Sequence, residues 1–127
     1  MTNEYELEPL PKVKKTNRLE ADSLTEVIQA LRTHDTVAWV RRQNTGAAKV
    51  GGRFIKFGWA GCTDLLGMMK DGRLLAVECK RPKGGRLSTD QAHFIALVNQ
   101  FGGCAFVATS ALDVFNNLGV DHASDGY

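Results

Sequence analysis

The sequence predicts an α/β domain in which a central sheet is covered by helices on both faces. Three features carry that expectation. Leu65, Leu66, Met68, Leu74, Leu75, Ala76 and Val77 place apolar groups on both faces of a hairpin around Lys70-Asp71-Gly72, as expected of strands buried on either side. Leu24, Val27, Ile28 and Leu31 recur at the three-and-four spacing of an amphipathic helix over residues 19 to 33. Ser88-Thr89-Asp90-Gln91 has the form of a capping box that opens a second helix. At 127 residues, 43% hydrophobic and 24% charged, the chain fits one soluble domain with a single core.

Residues 1 to 18 are polar, hold two prolines and the run Lys12-Val13-Lys14-Lys15, and read as a mobile N-terminal arm. In the helix that follows, Glu20 falls four residues before Leu24 and shares its buried stripe, whereas Glu26 lies about 200° round the helix and faces water. Thr36 to Arg42 is β-branched and aromatic, and Arg53-Phe54-Ile55-Lys56-Phe57 alternates in period two, so both read as strands. Residues 44 to 52 between them read as a glycine-bearing loop, and Gly58-Trp59-Ala60-Gly61 leads into the hairpin. Pro82 ends the second hairpin strand. The capping box starts a helix that runs through about Phe101 and stops at Gly102-Gly103. Cys104 to Thr109 reads as a strand, and Ala111 to Leu118 as a short helix with Leu112, Phe115 and Leu118 facing inward. The domain thus spans 19 to 118, and 119 to 127 is a loose tail.

No segment approaches the roughly 20 apolar residues of a membrane span, and the acidic start lacks a signal peptide's basic and apolar regions, so a cytoplasmic location is expected. Cys62, Cys79 and Cys104 contain no Cys-x-x-Cys pair and read as buried thiols, not as a zinc site or a disulfide framework. Net charge is +2, but every Lys and Arg precedes residue 87. Residues 1 to 86 hold 16 basic and 10 acidic groups, and residues 87 to 127 hold four Asp. That division suits a protein with one basic surface turned to a polyanion.

The hairpin is where charge needs explaining. If Lys70-Asp71-Gly72 is a three-residue loop with Gly72 in the left-handed region, Met69 pairs with Arg73 and Asp64 stands opposite Glu78. Their Cβ atoms would then lie roughly 5 Å apart, with Lys80 on the same face. A two-residue Asp71-Gly72 turn would instead oppose Asp64 to Cys79 and send Glu78 to the other face. Facing carboxylates repel unless a cation neutralises them, and oxygen-only ligands suit Mg²⁺ or Mn²⁺. A lysine beside such an ion could orient or deprotonate a water, or steady developing negative charge. Phosphodiester hydrolysis fits this set. The structural alternative is that Asp64 merely starts a strand while Glu78 pairs with Lys80 at a sheet edge. For Glu20 the alternative is a first-turn acid favoured by the helix dipole.

Asp64 followed by Glu78-Cys79-Lys80 after a hairpin, with a glutamate in the preceding helix, resembles the PD-(D/E)XK nuclease superfamily. Arg42-Gln43-Asn44-Thr45-Gly46-Ala47, Phe57-Gly58-Trp59-Ala60-Gly61-Cys62-Thr63-Asp64-Leu65-Leu66-Gly67, Glu78-Cys79-Lys80-Arg81-Pro82 and Leu87-Ser88-Thr89-Asp90-Gln91 resemble its virus-type replication-repair nuclease family, VRR-NUC, in a compact stand-alone form. The resemblance implies a restriction-endonuclease-like αβββαβ core with a central mixed sheet, and divalent-metal-dependent cleavage of DNA. It makes Asp64, Glu78, the Cys79 backbone carbonyl and Glu20 metal ligands and Lys80 the catalytic lysine. Gln91 matches a glutamine near the family's site, in competition with its capping role. The residue before the catalytic aspartate, often proline in the superfamily, is Thr63 here.

Arg41, Arg42, Asn44, Lys49, Arg53, Lys56, Arg81, Lys83 and Arg86 are candidate phosphate contacts, which position a backbone without reading bases. Trp39 and Trp59 could stack on bases, with core packing expected for Trp39. His34, His93 and His122 lack metal-ligand spacing. The expected protein is a Mg²⁺- or Mn²⁺-dependent DNA endonuclease. Its resemblance to stand-alone relatives implies a homodimer cutting branched DNA such as four-way (Holliday) junctions, with the apolar last helix a candidate interface. A non-catalytic nucleic-acid-binding module and a flap or end nuclease are the competing readings.

Overall fold

The computed structural model describes residues 15–43, 46–57 and 59–119, and their side chains except those of 15–20, 46–48 and 54–57. The expected mobile arm before residue 15 and the loose tail after 119 lie outside the described residues. The elements are α1 (Lys15–Thr33), β1 (Val37–Arg42), β2 (Gly46–Val50), β3 (Arg53–Phe57), β4 (Leu65–Met69), β5 (Leu74–Cys79), α2 (Thr89–Gln100), β6 (Cys104–Ala108) and α3 (Ala111–Leu118). None of the described helices is long and apolar enough to cross a membrane.

One mixed sheet carries the fold, in the order β1-β4-β5-β6. β1 and β5 both run antiparallel to β4, and β6 runs parallel to β5 after the α2 crossover. α1, β1, β4, β5, α2 and β6 therefore form the αβββαβ core, with α3 appended. Alternate residues of the central strand β5 part to two sides. Leu75, Val77 and Cys79 join Val27 and Leu31 of α1, Leu65 of β4 and Val114 of α3 in the larger apolar cluster. Ala76 joins Phe94 and Val98 of α2 with Cys62 and Ala105 in the smaller one. α1 and α3 thus cover one face and α2 the other, as the doubly apolar hairpin predicts.

Gly67 lets the sheet close where β1 meets β4. A Cβ there would overlap the Trp39 carbonyl oxygen and stand 2.9 Å from Val40 Cα, beside the irregularity between Val37 and Trp39.

Four expectations need correction. α1 begins at Lys15, inside the stretch assigned to the arm. Residues 46 to 50 form a strand paired with β3 around Gly51-Gly52, where φ values of 59° and 80° suit a two-residue hairpin turn. Trp39 is 46% exposed and is not a core residue, because α2 packs on β5 and β6 and leaves this side of β1 open. On α3 the inward stripe is Ala111, Val114 and Leu118, while Leu112 and Phe115 are exposed. Glu26 faces outward as expected, and its carboxylate accepts the Ala111 N–H at 2.7 Å, tying α1 to the start of α3.

Candidate active site

The Lys70-Asp71-Gly72 turn sets the register of everything near it. Met69 N–H donates to the Arg73 carbonyl and Gly72 N–H to the Met69 carbonyl, each at 2.8 Å, with Gly72 at φ +94°. Asp71 braces the turn by accepting from Arg73 N–H (3.1 Å) and Nε (2.8 Å), and the first of these contacts leads in holding its carboxyl below the usual range. This is the three-residue loop. The ladder then pairs Met68 with Leu74, Gly67 with Leu75, Leu66 with Ala76 and Leu65 with Val77. One step further sets Asp64 opposite Glu78, and the two-residue alternative is excluded.

Backbone amides fix both acids in place. Glu78 Oε1 accepts from Asp64 N–H at 3.1 Å, and Asp64 Oδ2 accepts from Cys79 N–H at 2.9 Å. Each carboxylate is thus bound to the opposite strand. Asp64 is further steadied by its carbonyl, which accepts the Gln43 N–H at 2.6 Å. Thr63 is fully buried, and its hydroxyl donates to the Leu65 carbonyl at 2.9 Å, so the side chain that stands in place of proline is satisfied within the core.

Glu78 is only 2% exposed. Its Oε2 receives two donors, Lys80 Nζ at 3.1 Å and Gln91 Nε2 at 3.0 Å. Gln91 also completes the capping box: its Oε1 accepts Ser88 N–H at 3.0 Å, and its own N–H donates to Ser88 Oγ at 3.1 Å. Gln91 therefore caps α2 and touches Glu78 at once. Because Ser88 N–H requires the amide oxygen, the amide nitrogen must face Glu78. Burial, and then the charge of Asp64, push the Glu78 carboxyl up from 4.5 to about 7, against the opposing pull of Lys80. Glu78 lies on the second of two central strands, not at a sheet edge, so the simple edge-pair alternative does not describe it.

Asp64 opens into a cleft of about 320 Å³ lined by Ala21, Leu24, Thr25, Arg42 and Cys79. Glu20 precedes Ala21 on α1, and its side chain lies outside the described residues. Arg42 is the candidate cation brought into that cleft with Asp64. Arg41 is exposed nearby on β1, while Lys49 and Arg53 are exposed on the β2–β3 hairpin. Arg81 donates through Nε to the Lys83 carbonyl at 2.9 Å, and Lys83 and Arg86 are exposed in the loop before α2. Asn44 and the Lys56 side chain lie outside the described residues.

Ser88 and Gly85 were not among the expected site residues. Gly85 packs so closely that a Cβ would lie 2.9 Å from Lys80 Cβ, and the Gly84-Gly85 pair was the available signal. Cys62 and Cys79 are buried, Cys104 is half-buried, and burial raises the Cys62 and Cys104 thiols. Of the histidines, buried His34 bonds to the Gly119 carbonyl at 2.7 Å and has a structural setting.

Among the described residues no three His, Cys, Asp or Glu side chains gather as a metal cage. Mg²⁺ typically needs only one or two carboxylates, its remaining positions being water and phosphate oxygen. A buried carboxylate opposed to a second one across two strands fits such an ion.

The αβββαβ core, a four-stranded mixed sheet flanked by helices, defines a restriction-endonuclease-like domain. The family model described as the VRR-NUC domain matches residues 5–112, and the chain belongs to that family. No curated protein and no solved structure matches it.

Proposed function

We propose that the protein is a divalent-metal-dependent, structure-selective endonuclease that hydrolyses phosphodiester bonds in branched DNA such as four-way junctions. The observation that carries this reading is the buried Glu78 carboxylate, held opposite Asp64 and touched on one oxygen by both Lys80 and Gln91. Asp64, Glu78 and the Cys79 carbonyl would hold Mg²⁺ or Mn²⁺, with Glu20 of α1 a further candidate ligand. When bound, the ion supplies a more acidic water and neutralises charge on the phosphate. Lys80 places an ammonium where that water or the developing phosphate charge would sit. Gln91 keeps the Glu78 oxygens in one orientation, and Arg42 with the Arg81, Lys83 and Arg86 loop draws the DNA backbone to the acids.

The decisive experiment cleaves labelled four-way junction, flap and linear duplex with Mg²⁺, Mn²⁺ or EDTA, using wild type and Asp64→Asn. Junction cutting is expected only with metal, to fall about a thousandfold or more in the variant, and to leave junction binding in place. A wild type that binds junctions yet cuts none of these substrates with either metal would sink the enzyme reading.

A homodimer completes the proposal, and a second apolar face joins the exposed Leu112 and Phe115 of α3 in supporting it. Trp39, Met68 and Leu74 are cross-strand neighbours, all exposed, and form a row across β1, β4 and β5. The row runs into a groove of about 750 Å³ lined by Leu74, Phe94, Leu97, Val98 and Gly103, beside which Phe101 stands 77% exposed. A projecting aromatic next to a recess is what a two-fold, self-complementary contact needs. Asp71 and Arg73 at the groove bind each other and leave the face neutral, which favours a second copy over DNA. Phe101→Asp is expected to halve the molecular mass seen by light scattering while leaving the far-ultraviolet circular dichroism unchanged. An unchanged mass would remove this face from the dimer.

A further inference from the structure

Trp59 leaves 53% of its surface exposed, although an apolar cluster lies directly beneath it. Its turn is held firmly. The Trp59 carbonyl accepts the Cys62 N–H at 3.0 Å, and Gly61, at φ +87°, sits so tightly on α2 that a Cβ would come 2.8 Å from Asp90 Cβ. The indole meets the Phe94 ring edge to face, with centroids 5.0 Å apart and planes at 73°. Phe94 follows Gln91 by three residues on α2, so the two side chains leave the same side of the helix with Cβ atoms about 5–6 Å apart. Gln91 in turn holds Glu78 at 3.0 Å. Two side chains, Phe94 and Gln91, thus link the indole to the Glu78 carboxylate. The loop that carries Arg81, Lys83 and Arg86 ends at Ser88, the cap of the same helical turn.

An aromatic plane packed on Phe94, half open to solvent and linked through Phe94 and Gln91 to the paired acids, is matched to a nucleobase whose phosphate the cations of the loop before α2 would hold. A base inside a duplex cannot offer its face, because both faces are stacked on neighbours. We propose that Trp59 stacks on an unpaired nucleobase beside the scissile phosphodiester, so that the site favours DNA opened at a branch. The location of the base rests on the nuclease reading, but the test reads binding without cleavage.

The chain has two tryptophans, so Trp39→Phe leaves Trp59 as the sole indole reporter. In EDTA, this variant is titrated with forked DNA carrying an unpaired arm and with linear duplex of equal length, binding being followed by anisotropy of the labelled DNA. Emission from Trp59 is expected to fall by about half at saturation with the fork and to change little with the duplex. Trp59→Ala is expected to weaken fork binding about tenfold, with duplex binding unchanged and Trp59→Phe intermediate. Circular dichroism matching wild type establishes that the variants are folded.

Unchanged Trp59 emission at saturating fork would overturn the proposal. So would equal losses on fork and duplex in Trp59→Ala, or no loss on either. Emission that instead follows protein concentration without DNA would place Trp59 in a contact between copies and would also overturn it. Quenching by the fork in a protein that never cuts with metal would keep the stacking site and remove the nuclease reading. Binding of neither DNA would overturn the stacking proposal and leave the nuclease reading to the cleavage experiment.

Discussion

The metal-free protein is expected to lose stability as pH rises from 4.5 through about 7, the interval over which Glu78 titrates in the unfolded chain but keeps its proton in the fold. In that interval the native state binds more protons than the unfolded state, so each step upward in pH favours unfolding. The full effect, reached above about pH 7, is at most about 3 kcal/mol. Its cause is burial of the carboxylate, followed by repulsion from Asp64, with Lys80 offsetting part of both. Mg²⁺ or Mn²⁺ should restore stability at the alkaline end, because a ligand of the ionised site stabilises the state that binds it. Urea unfolding of wild type and Glu78→Gln across this range checks the prediction. The readout is the slope that the variant loses, because its amide must turn an N–H toward Asp64 N–H or toward Lys80 and Gln91, which costs stability at every pH. Equal slopes in the two proteins would show that Glu78 ionises normally.

Lys80→Met is expected to lower single-turnover junction cleavage by about a hundredfold to ten-thousandfold, with junction affinity little changed. The ammonium stands 3.1 Å from Glu78 Oε2, whereas the proposed phosphate contacts Arg42, Arg81, Lys83 and Arg86 are left in place. A second effect separates this variant from a simple loss of charge. Lys80 lowers the Glu78 titration, so its removal should raise it and shift the metal requirement toward higher pH. Cleavage measured against pH at several Mn²⁺ concentrations would reveal both effects. A variant that cuts at the wild-type rate would deny Lys80 its catalytic role.

The opposition of Asp64 and Glu78 was legible because it depends on local chemistry. A three-residue loop with glycine at its left-handed position fixes the pairing of every residue behind it, and Gly72 adopts that conformation. Gln91 was legible only as a choice, since the capping box and the site each claimed it. An amide carries both an acceptor and two donors, and the fold uses it for both. β2 was hidden because Ala47-Ala48 between glycines has little strand preference, and pairing with β3 supplies what composition does not. Trp39 was misplaced because strand alternation separates two faces without saying how far a helix extends over either. α3 has eight residues, too few for its period to choose between Leu112–Phe115 and Ala111–Val114–Leu118. The Glu20 side chain, expected in the site, lies outside the described residues.

The double use of Gln91 makes the start of α2 and the orientation of Glu78 a single mechanical unit. Helix ends fray on their own in most proteins, opening and closing without consequence for the rest of the molecule. Here, opening the first turn of α2 would withdraw the Ser88 N–H from the amide oxygen and free the same amide to rotate away from the acid. Loss of that turn would leave the acid with the Asp64 N–H and Lys80 alone, so the stability of the α2 N-terminus and the orientation of Glu78 would fall together.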